Sequence, residues 1–272
     1  MRESTSCFEG RFSRRFPGTA GNYRSFRAWT LAIALGLVPS PGAAGADDFA
    51  ARRSGLVDSL RREWAGLAQR VPAVGVPEER VLAALAKVPR HELVPDGQRD
   101  EAYEDRPLPI GEGQTISQPF IVALMTALAA PDPGDVVLEV GTGSGYQAAV
   151  LAELADTVYT IEIVAPLGRR AASDLARLEY RNIVTRIGDG YAGWPEHAPF
   201  DAIVVTAAAP EVPQPLIDQL KPVTGRLVVP VDAVGGQELL VLSKDANGAV
   251  ERRMIIPVRF VPLTGKARDG RR

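Results

Sequence analysis

The stretch Val136-Val137-Leu138-Glu139-Val140-Gly141-Thr142-Gly143-Ser144-Gly145-Tyr146 decides the fold. Its first five residues are an apolar run broken only by Glu139, which reads as a strand buried on both faces of a parallel sheet. Alternate glycines then turn the chain, and Tyr146 to Leu154 reads as a helix. Glycine is needed in such a turn because a side chain would keep the backbone from approaching a nucleotide-type ligand. The spacing is G-x-G-x-G, and Tyr146 stands where the dinucleotide fingerprint G-x-G-x-x-G has its third glycine. Glu139 would repel a pyrophosphate and suits a ligand with a cationic group. S-adenosylmethionine carries an ammonium and a sulfonium and no phosphate, so the loop favours it over NAD. A tight strand-to-helix turn without a ligand is the plainer alternative. Glu162 lies 17 positions after Gly145, at the end of the next apolar run, where an acid can accept hydrogen bonds from both hydroxyls of a ribose.

Downstream, strands are expected at 157–163, 183–186, 202–205, 225–231, 238–243 and 252–259, with a helix at 166–178. This alternation implies an α/β fold of the Rossmann-like, doubly wound kind, with a mainly parallel sheet whose ligand sits at the carboxyl ends of the strands. Upstream, Leu56, Leu60, Trp64 and Leu67 recur at helical spacing. A second helix starts near Pro77 with Val81, Leu82, Leu85 and Val88 on one face. These form an N-terminal helical extension. The polar, turn-rich stretch from Glu101 to Gln118 reads as a long functional loop. The expected layout is a leader over 1–46 and one domain over 47–272, with a helical lead-in and substrate loop to 133 and a cofactor-binding core from 134.

The chain has 272 residues, and 31 basic against 33 acidic side chains give a net charge of −2, which argues against a surface built to hold nucleic acid. One cysteine, Cys7, and two histidines, His91 and His197, leave no disulfide framework, no Cys/His zinc site and no expected metal. Residues 1–27 are arginine-rich, 28–38 apolar and too short for the roughly 20 residues of a membrane span, and Ala43-Ala44-Gly45-Ala46 follows. That order describes a secretory signal peptide cleaved after Ala46. It equally fits an upstream extension that is never used for export. No stable membrane insertion is expected.

The chain resembles the protein-L-isoaspartate (D-aspartate) O-methyltransferase family of class I methyltransferases. Five segments carry the resemblance in order: Pro109 to Pro119 (PIGEGQTISQP), Gly141 to Tyr146, Gly188-Asp189-Gly190, Phe200 to Ala208 (FDAIVVTAA), and Arg259-Phe260-Val261-Pro262-Leu263. The likeness spans about residues 54–264. It implies that Glu139, Gly141, Thr142, Gly143 and Gly145 contact the methionine part of S-adenosylmethionine, Glu162 its ribose, and Asp189 and Gly190 the adenine side. Thr115, Ile116 and Ser117 would line the place where the substrate carboxylate meets the methyl group, with Ser117 the catalytic residue. Phe260, Val261 and Pro262 would form a peptide-binding wall. Each has a structural alternative: Ser117 is a good cap for the apolar helix after it, Asp189 could hold a turn, and Phe260 and Pro262 could be packing.

The implied substrates are isoaspartyl-containing proteins and peptides, with no nucleic acid partner and a monomeric enzyme. A carboxylate with a pKa of about 4 is already ionised, so no general base is required and the scarcity of histidine fits. The resulting ester would close to a succinimide, whose hydrolysis returns some normal aspartate. Two departures from the family stand out. Lys221-Pro222-Val223-Thr224-Gly225-Arg226 is one residue longer than the usual turn and lacks a glycine, and the link from Trp64 to Val76 is long. An RNA or small-molecule methyltransferase and an inactive cofactor-binding module are the alternatives. Against the former, Thr206-Ala207-Ala208-Ala209-Pro210 stands where base methyltransferases carry Asn/Asp-Pro-Pro-aromatic. Cofactor supply places the protein in the cytoplasm, and the leader gives the exported alternative.

Overall fold

The computed structural model describes residues 41–267, with side chains from residue 48, and the leader expectation for 1–40 lies outside the described residues. The elements in chain order are α1 (Pro41–Arg70), α2 (Glu79–Lys87), β1 (Leu108–Gly111), β2 (Gln114–Ile116), α3 (Pro119–Ala129), β3 (Val136–Val140), α4 (Tyr146–Ala152) and β4 (Thr157–Glu162). Then follow α5 (Ala165–Arg177), β5 (Ile183–Ile187), β6 (Ala202–Val205), α6 (Gln214–Asp218), β7 (Arg226–Ala233), β8 (Gly236–Lys244) and β9 (Val250–Val258). The expected cleavage position after Ala46 falls within α1.

Seven strands form one sheet in the order β5-β4-β3-β6-β7-β8-β9. The first five run parallel, β8 pairs antiparallel with β7, and β9 pairs antiparallel with β8. The sheet is therefore mainly parallel, as expected. Successive residues of the central strands point to opposite faces, which splits the core in two. Val137, Val158, Ala202, Val204 and Val228 pack under α1 to α4, while Leu138, Val140, Ile203, Val205 and Leu227 pack under α6. The direction of winding reverses between β3 and β6. The carboxyl ends of these two strands open the crevice where ligands bind in such sheets.

Leu60 and Trp64 of α1 are fully buried, and the Trp64 indole N–H donates to Gly75 O at 3.1 Å. The long link after Trp64 is thus used up by further turns of α1 and a short 3₁₀ turn at Pro72–Val74, which that indole pins to the helix.

The stretch 101–118 corrects the expectation of a plain loop. It begins where a 3₁₀ turn, Asp96–Glu101, ends, and it contains the β1–β2 hairpin, in which Leu108 faces Ile116 and Pro109 faces Thr115. Glu112 and Gly113 turn the hairpin at φ 53° and 70°. The prolines and glycines masked a buried–exposed alternation from Leu108 to Gly111. Short hairpins tolerate these residues at their edges and turns.

Candidate active site

The glycine turn closes on β6. A Cβ on Gly141 would run into Thr206 Oγ1, and the Thr206 hydroxyl donates to Gly141 O at 2.5 Å. Gly141 has φ 102°, so both its conformation and the closeness of Thr206 require glycine. Gly145, at φ 87°, starts α4 behind the loop. Tyr146 is buried with its ring 4.7 Å from the Arg90 guanidinium carbon. The hairpin lies over the loop, where Arg170 of α5 donates to Ile110 O at 2.6 Å and the Ile110 Cδ1 would come within 3.5 Å of a Cβ on Gly143.

Two acids organise the crevice. Glu162 accepts Gly143 N–H on Oε2 at 2.7 Å and Val164 N–H on Oε1 at 2.8 Å, so it fixes the loop and the turn after its own strand. A carboxylate oxygen has two lone pairs, and each Glu162 oxygen keeps one for a further donor. Glu139 is fully buried. Its Oε2 accepts the Thr160 hydroxyl at 2.5 Å, and the Thr142 hydroxyl in turn lies 2.6 Å from Thr160 Oγ1. Its Oε1 is buried without a partner. Burial pushes the Glu139 carboxyl up to about 8, and the neighbouring Glu162 adds to the rise. A buried acid with an unpaired oxygen carries a cost that a ligand's N–H or positive charge would relieve.

Three connected cavities meet here. The first lies against Gly141, Gly143, Glu162, Gly190 and Pro262, and the second is a small cleft behind the loop reaching Glu139, Thr142, Ile116 and Ser117. The third is a groove of about 460 Å³ along Ser117, Phe260 and Val261. Thr115 and Thr206 line all three. No lysine or arginine lines the first two, while Glu162 and Glu139 do. That lining offers phosphates no cation and accepts a cationic, ribose-bearing group, so the residues fit S-adenosylmethionine.

The expected site residues are brought together with two exceptions. Gly145 shapes the turn from behind. Asp189, expected beside the adenine, lines none of the three cavities; its Oδ1 accepts Tyr191 N–H at 2.9 Å and its Oδ2 accepts Lys266 N–H at 2.8 Å. It holds two turns together at the rim. Gly190, next to it, does line the first cavity, packed so that a Cβ would strike Val140.

Ser117 does not cap the helix after it. Gln118 occupies the cap position, and Asp105 accepts the Phe120 N–H. The Ser117 hydroxyl makes no hydrogen bond among the described residues and is half-buried in the groove. Ile116 is buried in the core, whereas Thr115, pointing the other way from β2, is exposed at the cavities. Phe260 is clamped by the Gln237 side chain, which accepts its N–H at 2.6 Å and donates to its carbonyl at 3.3 Å. Val261 and Leu263 then bond to Ala208 across the end of β6. Sequence reasoning missed Thr206, Asp105 and Gln237 as parts of the site. Thr206 alone had a signal, its place directly after the β6 run.

Both histidines lie elsewhere, His197 stacked on Tyr159 at 4.0 Å and His91 on Phe49 at 4.1 Å. Among the described residues no group of three or more His, Cys, Asp or Glu is placed to hold a metal, and no helix is long and apolar enough to cross a membrane.

Residues 66–268 match the family described as protein-L-isoaspartate(D-aspartate) O-methyltransferase. The chain is 57% identical over 236 residues to protein-L-isoaspartate O-methyltransferase 1 of Cupriavidus necator, covering 86% of this chain and 90% of that protein. It is 51% identical over 241 residues to protein-L-isoaspartate O-methyltransferase 2 of Syntrophobacter fumaroxidans, covering 86% and 96%. Among solved structures, a protein-L-isoaspartate O-methyltransferase superposes with a TM-score of 0.68 at 28% identity, over 79% of this chain and 67% of the other. A Plasmodium falciparum protein described as such a methyltransferase, in complex with S-adenosyl-L-homocysteine, superposes with a TM-score of 0.66 at 25% identity, over 78% and 98%.

Proposed function

The chain belongs to the protein-L-isoaspartate(D-aspartate) O-methyltransferase family, and from that premise we propose how its residues divide the work. The enzyme transfers a methyl group from S-adenosyl-L-methionine to the free carboxylate of isoaspartyl residues in damaged proteins and peptides. The cofactor supplies an electrophilic methyl group on a sulfonium, and the residues of the chain align and shelter the reaction.

Glu162 takes the ribose hydroxyls with its two remaining lone pairs. Glu139, Gly141, Thr142 and Gly143 take the methionine end, where the unpaired Glu139 Oε1 gains a donor. Gly145 sets the turn, Gly190 opens the adenine side, and Asp189 holds the rim there. The substrate lies in the groove along Phe260, Val261 and Pro262, with its carboxylate at Thr115 and Ser117 beside buried Ile116.

The observation that carries this reading is the Ser117 hydroxyl, unpaired among the described residues, in a groove that shares Thr115 and Thr206 with the cofactor cavity. The acceptor carboxylate loses its charge as the methyl group arrives. A cation or several strong donors on it would stabilise the ground state more than the transition state. A single neutral hydroxyl orients it without that penalty, and alignment in a sheltered crevice supplies the rate. We read residues 47–272 as one methyltransferase domain acting as a monomer on proteins and peptides, in the cytoplasm where its cofactor is made.

The test is methyl transfer from labelled S-adenosylmethionine to an isoaspartyl peptide beside its aspartyl twin, using the full chain. Base-labile methyl ester on the isoaspartyl peptide, formed about tenfold more slowly in Ser117→Ala, is expected. Equal labelling of both twins would overturn the assignment of this groove.

A further inference from the structure

The groove that holds Ser117 is walled by proline, threonine, glutamine and apolar side chains, with one charged residue among them, Arg259. Arg259 is exposed and has no carboxylate within ion-pair distance among the described residues. Its backbone is fixed on both sides. Val258 before it pairs with Gln237 at the end of β9, and Phe260 after it is held by the same Gln237 side chain. Arg259 is therefore an exposed side chain on a fixed backbone, lining the groove. Beyond it the groove continues into a second cavity of about 480 Å³ bounded by the β7–β8 turn, with which it shares Pro257, Val258 and Arg259.

We infer that Arg259 forms a subsite for an acidic side chain of the substrate, one or two residues away from the isoaspartyl residue. This rests on the isoaspartyl-methylation reading of the groove and adds to it a preference for substrate charge. An extended peptide advances about 3.3 Å per residue, so the two cavities together accommodate the residues flanking the damaged one. The reacting carboxylate is excluded as the partner of Arg259. A guanidinium on that carboxylate would stabilise the anion that must be neutralised in the transition state, and the neutral Thr115 and Ser117 already stand there. A neighbouring carboxylate keeps its charge throughout the reaction, so binding it strengthens ground state and transition state alike. Such uniform binding lowers KM and leaves kcat alone. Arg259 is the one charged residue of the near groove, and Glu238 and Asp232 border only the far cavity.

The test uses the full chain and isoaspartyl peptides that differ only by Glu, Gln or Lys at each of the two positions on either side of the isoaspartyl residue. At one of these positions the parent enzyme is expected to show a KM about threefold lower for Glu than for Gln, the size of an exposed ion pair, with equal kcat. The advantage should shrink in high salt. It should vanish in Arg259→Gln and turn into a preference for Lys in Arg259→Glu, while Arg252→Gln, on the strand that leads to Arg259 but away from the groove, retains it. Equal KM for Glu and Gln peptides at every position in the parent, or an advantage that survives Arg259→Gln, would overturn the subsite. Failure of the parent to methylate any of these peptides would instead overturn the methylation reading, and the subsite with it.

Discussion

Asp105 caps the helix that opens at Pro119: its Oδ1 accepts the Phe120 N–H at 2.8 Å, while its Oδ2 receives the Gln118 side-chain amide at 2.9 Å. One carboxylate thus holds the chain on both sides of Pro119, one residue from Ser117. Replacing a capping Asp by Ala costs about 1 kcal/mol. Asp105→Ala should therefore melt a few degrees lower and, because Ser117 loses its brace, show a raised KM for the isoaspartyl peptide. Asp105→Asn keeps an acceptor for Phe120 and should recover most of the stability. An unchanged melting temperature in Asp105→Ala would remove the cap.

Ser117 carries the opposite expectation. Since it caps nothing and makes no hydrogen bond among the described residues, Ser117→Ala should leave the melting temperature unchanged. Turnover on the isoaspartyl peptide should fall about tenfold, the equivalent of about 1.4 kcal/mol, with cofactor affinity intact. Steady-state kinetics and a cofactor titration separate the two effects. Turnover equal to the parent's would leave orientation to Thr115 and Thr206.

The parallel core was readable because a strand buried on both faces is written mostly in apolar and β-branched residues, as in VVLEV of β3, TVYTIE of β4 and AIVV of β6. The glycine turn and Glu162 were readable because backbone approach and ribose contact demand particular residues at particular offsets. What escaped was set by distant contacts. Asp105 reaches Phe120 across 15 residues and the intervening hairpin, so nothing local distinguishes it from a surface acid. Gln237 looks like an ordinary strand residue, and only the antiparallel return of β9 brings Phe260 to it. The hairpin itself was hidden because its prolines and glycines also describe a loop.

Glu162 joins the loop to the cofactor cavity, so its removal acts twice. Glu162→Ala takes away the acceptors of Gly143 N–H and Val164 N–H along with those for the ribose. A cofactor dissociation constant raised at least tenfold is expected by calorimetry. Glu162→Gln, which keeps one acceptor oxygen, should fall between the two. Parent-like affinity in Glu162→Ala would end the ribose assignment.

The turn where the chain departs from its family is strained. Val223 holds φ 72°, a conformation that a β-branched residue adopts only at a cost, and it is largely exposed with its N–H bonded to Lys244 O at 2.6 Å. Glycine fits that φ without strain. Val223→Gly should raise stability by about 1 kcal/mol, read as a higher melting temperature, with activity unchanged because the turn lies far from the crevice. A lower melting temperature would show that Val223 contributes packing that outweighs its backbone strain.

Glu139 links folding, cofactor and pH. Burial raises its carboxyl to about 8 in the free protein, whereas in the unfolded chain it titrates near the ordinary value of about 4.3. Between those two values the folded protein binds the proton that the unfolded chain has lost. Stability contributed by the protonated form is therefore fully present at the acid end, falls as pH rises through this window by at most about 1.4 kcal/mol per unit, and changes no further above about 8. Glu139→Gln has no proton to lose, so its stability should be less dependent on pH over the same range and exceed the parent's near pH 8. Cofactor binding has the opposite sign, because the cationic methionine end favours the ionised carboxylate and its arrival expels the proton. Parent affinity should rise from pH 6 to pH 8 with proton release detectable in buffers of different ionisation heat, and that dependence should be absent in Glu139→Gln. Parallel affinity profiles for the two proteins would show that Glu139 stays protonated with the cofactor bound and serves only to brace Thr160 and Thr142.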